Sequence, residues 1–340
     1  RLASTLPLPE DFGIDLSMMP IVHTQWLWGQ VASKLVRIGT DDEYRAAGID
    51  AGKELSDEEQ RWAVAADMAL TISPDVGTST NISPAMDQRI YGPGLGDEQL
   101  NLETLAAARH PVLVTNQEVW TRHIRFEIAE ANCMSAVAAF GKMAHYTGLP
   151  FFPIMTVYDF FIKRALDQLY YNLYWGAEFV IMGTPSGVTL SSEGAQHSWK
   201  SDIQIPNLIT WEPLFAAEMD WILADAIKRH MEDTNEGRRG VLIRAVTRAI
   251  PQKLLLENLR RHATAKVEPH DAPLKPAGAD ADWGEALDES TLTPLPDEKL
   301  LARVREDCLK GAWYLVDWRG YAGYEPGDNV VNLFVMGSPA

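Results

Sequence analysis

The sequence predicts an α/β protein: a mainly parallel sheet flanked by helices. Two observations carry this. From about Trp62 onward, short apolar runs alternate with longer amphipathic ones, and strands that alternate with helical periodicity imply crossover connections between parallel strands. The second is where the helical signals begin. Pro213 opens the pattern that runs to Met231, a residue suited to a first helical turn.

Taken in order, the apolar runs predict strands at Met68–Ile72, Ile124–Ile128, Phe151–Val157, Phe179–Met182, Leu208–Trp211 and Val241–Val246. Helical spacing fills the gaps at Ala131–His145, Asp159–Tyr174 and Pro213–Met231. Residues 1–60 read as an N-terminal connecting arm, with one helix near Gln25–Ile38 and a charged stretch, Asp41 to Glu59, that shows little apolar periodicity. The α/β domain occupies residues 61–250 and a linker region residues 251–328. Within the latter, Glu268 to Glu298 is rich in Pro, Ala, Gly and acids, and a helix follows at Glu298–Leu309. Residues 329–340 open on an apolar strand, Asn329 to Met336, which reads as the start of a truncated C-terminal domain. The chain begins at Arg1 rather than Met, so we expect a piece of a longer polypeptide.

Composition narrows the function classes. A formal charge of −17 opposes nucleic-acid binding, which needs concentrated Lys and Arg. No apolar run has the length of a membrane span, and no signal peptide opens the chain, so the expectation is a cytoplasmic protein without a membrane partner. Cys133 and Cys308 stand apart from any Cys or His cluster, and no metal ligand set is read from this sequence.

Three segments carry chemistry. The first, IRFEIAEANCMSAVAAFGKMAHYTGLPFFP, places Glu130 where a strand ends and a small-residue helix begins. The second, PIMTVYDFF, sets Tyr158 and Phe161 three residues apart, hence on one face of a helix that starts before them. The third, Gly183 to Pro213, contains EGAQH with His197 in a Gly- and Ser-rich loop, and loops at strand ends are where open α/β sheets bind ligands. Each residue also has a plainer reading. Glu130 would suit a helix N-terminus through the dipole alone, Tyr158 and Phe161 could be core aromatics like Phe160, and His197 could be an inert loop histidine. His110, His123 and His145 fit surface or core roles.

In order and spacing, these segments resemble the homodimeric bacterial type of pyruvate dehydrogenase first component, within the thiamine-diphosphate-dependent 2-oxo acid dehydrogenases and the wider transketolase-like superfamily. The resemblance covers roughly Met68 to Val246. It implies the thiamine-diphosphate pyrimidine-binding fold and an acyl-transferring 2-oxo acid dehydrogenase, with pyruvate as the expected substrate and a lipoyl arm as acceptor. Glu130 would hydrogen-bond the aminopyrimidine nitrogen opposite the 4′-amino group and favour the imino form that acts as base. Phe161 would stack on the ring, Tyr158 would point its hydroxyl toward the substrate, and His197 would bind substrate and move protons. Glu193 would brace its loop. Asp75, in ISPDVGTSTN, falls near acidic residues beside the cofactor, although a turn or helix cap explains it equally well.

The pattern also departs from the family. Ala131, Asn132 and Cys133 follow Glu130 where relatives have a Gly-rich start, and Ser198, Trp199 and Lys200 follow His197 where relatives are more acidic. GPGLGDEQL, Gly92 to Leu100, lacks the Gly after Asp97 that a diphosphate motif needs and reads as a loop. The resemblance therefore implies that thiamine diphosphate and Mg²⁺ are largely held by a domain absent from this chain, on a second subunit, and that this piece alone is inactive. The implied partners are that subunit, a lipoyl-bearing acyltransferase and the 2-oxo acid. Transketolase-type ketol transfer and a non-catalytic scaffold or regulatory homologue are the alternatives.

Overall fold

In the computed structural model, residues 8–39, 55–82, 123–189, 205–232, 240–261 and 293–313 are described. Six strands form one all-parallel sheet: β2 (Ala69–Ser73), β3 (His123–Arg125), β4 (Phe152–Val157), β5 (Phe179–Gly183), β6 (Leu208–Trp211) and β7 (Gly240–Arg244). Their spatial order is β3-β2-β4-β5-β7-β6. A separate two-residue pair joins β1 (Ile21–Val22) antiparallel to β8 (Ile250–Pro251).

The central strands are buried along their whole length because helices cover both faces, as parallel sheets require. Alternation then sorts the side chains. Phe152 and Ile154 of β4, Val180 and Met182 of β5, and Val241 and Ile243 of β7 join one core, with α1 (Thr24–Gly39), α2 (Asp57–Met68), α6 (Ala216–Glu232), α7 (Lys253–Arg260) and α8 (Asp297–Lys310). Met155, Val157, Phe179, Ile181 and Leu242 point the other way, against α3 (Glu130–Gly141) and α5 (Leu166–Trp175). A short helix, α4 (Met143–Thr147), lies between α3 and β4.

Three local features set these elements. A capping box starts α2: Ser56 Oγ accepts from Glu59 N–H while the Glu59 carboxylate accepts from Ser56 N–H. The start of α6 is capped from within, since Glu218 accepts from Leu214 N at 2.9 Å and Phe215 N at 2.6 Å. At Gly141 the end of α3 meets β5 so closely that a Cβ would lie 2.0 Å from the Glu178 carbonyl oxygen.

The N-terminal stretch read as a connecting arm contributes Leu27, Trp28, Val31 and Leu35 to the core. Phe12 is gripped at three points: its N–H donates to Asp220 at 2.7 Å, its carbonyl accepts from Lys34, and its ring stacks on Trp62 at 4.4 Å. Among the described residues no helix is long and apolar enough to cross a membrane.

A candidate pyrimidine site at the sheet's C-terminal edge

All six strands point their carboxyl ends to one edge of the sheet, and the connections leaving that edge carry the candidate residues. The strand β3 stops at Arg125, short of the sequence-predicted Ile128, because Glu127 turns to φ 54° and Ile128 is 72% exposed. The turn delivers Glu130 to the first position of α3. There its carboxylate is only 5% exposed, where the helix dipole favours a negative charge. One turn on, Cys133 is buried, and burial together with the Glu130 charge pushes its thiol up to about 12. This cysteine stays a neutral packing group.

The aromatic segment does not form the single helix that its spacing suggests. A 3-10 helix, Asp159–Ala165, comes first and α5 follows. Tyr158 is its N-cap, and Phe161 N–H donates to Tyr158 C=O at 2.9 Å. Positions three apart eclipse in a 3-10 turn, so Tyr158 and Phe161 stack, centroids 5.9 Å apart at 21°. Phe160 turns inward, 4% exposed, and meets Phe161 edge-on at 4.3 Å.

Arg164 joins these pieces. Its Nη1 donates to Glu130 Oε1 at 3.0 Å, and its Cζ lies 3.8 Å from the centre of the Phe161 ring. Sequence reasoning passed over this residue because a lone Arg in a helical stretch carries no signal. Two positions missed beside it are Asp159 and Arg244. Arg244, 3% exposed at the end of β7, donates through Nε to Asp159 Oδ1 at 2.8 Å and lies 3.5 Å from Glu212. Ser186 Oγ donates to the other Asp159 oxygen at 2.7 Å. The network ties the aromatic turn to the ends of β5 and β7.

Glu130, Tyr158 and Phe161 are thus brought to one edge, two of them linked through Arg164. Asp75 is exposed in the turn after β2, outside the hydrogen bonds and ring contacts of that group. His197, Glu193 and Lys200, like the Gly92–Leu100 loop, lie outside the described residues. His123 sits between two hydroxyls, Thr71 Oγ1 at 2.9 Å and Ser73 Oγ at 3.2 Å, and burial lowers its pKa to about 4. It is a neutral structural histidine. Among the described residues no group of three His, Cys, Asp or Glu could hold a metal ion.

Chemically, a nearly buried carboxylate beside a flat aromatic ring suits a planar heterocycle that donates an N–H or shares a proton. An aminopyrimidine has both properties, so these residues fit that end of thiamine diphosphate.

Residues 111–241 match a family described as the pyruvate dehydrogenase E1 component middle domain. A stretch of 113 residues is 29% identical to the pyruvate dehydrogenase E1 component of Buchnera aphidicola subsp. Schizaphis graminum, covering 30% of this chain and 12% of that protein. Solved structures with a similar course include transketolase from Campylobacter jejuni, at 12% identity and TM-score 0.42, over 71% of this chain and 29% of that one. Transketolase from Leishmania mexicana matches at 13% identity and TM-score 0.38, over 73% of this chain and 27% of that one. The chain spans a minor part of each of these proteins, and the fold assignment rests on its own strand order.

Proposed function

We propose that this chain belongs to the thiamine-diphosphate-dependent, transketolase-like superfamily, a reading supported by the match of residues 111–241, and supplies the pyrimidine-binding half of a 2-oxo acid dehydrogenase with pyruvate as substrate. The observation that carries the reading is Glu130, a carboxylate 5% exposed at the mouth of α3 with the Phe161 shelf beside it. The match to the E1 middle domain supports the dehydrogenase reading, and ketol transfer stands beside it as the alternative.

In this reading the cofactor, when bound, would supply a nucleophilic carbon and an electron sink for decarboxylation of a 2-oxo acid. The protein's part is to orient and to place protons. Glu130 would share a proton with the pyrimidine nitrogen opposite the amino group, its carboxylate accepting from that nitrogen in the protonated and imino forms, in a site drier than bulk water. Phe161 fixes the plane of the ring, and the Asp159–Arg244 pair fixes the turn that carries Phe161. Tyr158 would present its hydroxyl to the substrate side, and the substrate-binding and proton-moving role is assigned to His197 on the sequence resemblance alone. Diphosphate and Mg²⁺ are assigned to another domain on a second subunit, and the acyl product to a lipoyl-bearing acyltransferase.

The test begins with binding. Magnesium thiamine diphosphate titrated into wild type, Glu130→Ala and Phe161→Ala should bind weakly to the first and less to the others; equal affinity in all three would sink the reading. With the subunit that carries the diphosphate-binding domain added and the cofactor loaded, release of carbon dioxide from pyruvate separates a dehydrogenase from a ketol transferase, which would instead consume a ketose phosphate. An assembled enzyme that binds the cofactor and does neither is the scaffold.

A further inference from the structure

Two of the arginine–carboxylate pairs at this sheet edge, Arg244 with Asp159 and Arg164 with Glu130, differ in kind. The Arg244 side chain is 2% exposed and enclosed by Asp159 and Glu212. Breaking that pair strands charge in the interior. The Arg164 side chain is 47% exposed, although the Glu130 carboxylate it pairs with is 6% exposed. Arg164 therefore reaches in from solvent to a buried partner; its own return to water is cheap, and the exchange is cheap as a whole when another N–H donor takes its place on Glu130.

A guanidinium is a flat, delocalised cation with N–H donors along its rim. One such plane here covers the face of Phe161 and donates to Glu130. Those are the two contacts asked of an aminopyrimidine, which is also flat and, when protonated at the ring nitrogen, also a delocalised N–H cation.

We propose that Arg164 is a built-in occupant of the pyrimidine subsite, which keeps Glu130 paired and Phe161 covered until a planar cationic ring displaces it. The proposal rests on the reading of Glu130 and Phe161 as pyrimidine-binding residues. It adds a gate to that site: the ligand competes with a side chain as well as with water. Because the competitor is tethered, it imposes a constant penalty on affinity that a ligand anchored elsewhere by its diphosphate overcomes more easily than a free ring.

The experiment compares thiamine, which lacks the diphosphate, with magnesium thiamine diphosphate. Each is titrated calorimetrically into wild type, Arg164→Ala, Arg164→Met, Glu130→Gln and Phe161→Ala. A half-exposed ion pair and a cation–π contact together correspond to roughly tenfold in affinity. Arg164→Ala and Arg164→Met should each bind thiamine about that much more tightly than wild type. The methionine variant keeps the alkyl packing, so it serves if alanine disturbs the fold. Unchanged or weaker thiamine binding in the Arg164 variants, or binding by none of the proteins, overturns the gate. If Glu130→Gln and Phe161→Ala still weaken binding, only the gate has failed. If they leave it unchanged, the pyrimidine reading has failed with it.

Discussion

The guanidinium of Arg244 donates to Asp159 at 2.8 Å across 85 residues of sequence, with both side chains almost sealed from water. The pair closes the aromatic turn onto the end of β7. Replacing Arg244 with Met should remove the compensation for Asp159 and Glu212 together. Truncating one partner of a buried pair typically costs about 3–5 kcal/mol. Urea unfolding should show a loss in that range, with an unchanged slope; a loss below about 1 kcal/mol would mean water already reaches the network.

Phe160 and Phe161 are neighbours with opposite duties. Phe160 is 4% exposed, so Phe160→Ala should lower stability by about 3–5 kcal/mol through the cavity it leaves. Phe161 is half-buried, and Phe161→Ala should cost clearly less stability yet weaken binding of magnesium thiamine diphosphate. Melting curves and titrations on the same two proteins separate the roles.

Gly141 marks the closest approach of α3 to the sheet. A methyl there would meet the Glu178 backbone at 2.0 Å, and backbone cannot swing aside. Gly141→Ala should therefore destabilise, although helix propensity alone would predict a gain of about 1 kcal/mol. A higher melting temperature in the alanine variant would show that α3 can shift.

A buried carboxylate and a half-buried imidazole give opposing acid responses. Burial raises Asp220 to about 7, so between its ordinary value of 3.8 and about 7 the folded state holds the proton that the unfolded state has lost. Its contribution to stability is full below pH 3.8 and declines as pH rises through about 7. Burial lowers His123 from 6.5 to about 4, so its contribution is full above pH 6.5 and declines as pH falls toward 4. Melting temperatures from pH 4 to 8 should change sign between variants. Asp220→Asn should leave stability rising with pH, and His123→Gln should leave it falling. Parallel curves for both variants would contradict the burial argument.

Much of the sheet was legible because covered parallel strands advertise themselves as apolar runs: Phe152–Val157, Phe179–Gly183 and Leu208–Trp211 fall on the expected segments. The helix Asp57–Met68 was missed, although Ser56 followed by Glu59 is a readable capping box, because the charged residues around it hid the short apolar face of Trp62, Ala65 and Ala66. The stretch from Asp159 to Tyr174 divided into two helix types because Asp159 is drawn down to Arg244 and Ser186, partners far along the chain. Pairings of that range leave no mark in local periodicity. The Arg164 bond to Glu130 was invisible for the same reason, whereas Glu130 itself stood out through the spacing of its segment relative to Tyr158.

Phe12 bonds to Asp220, Thr24 to Val246 and Val22 to Gln252, so the first strap of chain depends on partners made more than 200 residues later. On the ribosome, α1 could pack against α2 early, but the face it turns to α6 would stay bare until that helix had been synthesised. Such distant closure makes for slow folding. The exposed helix face in the interim is a natural client for a chaperone.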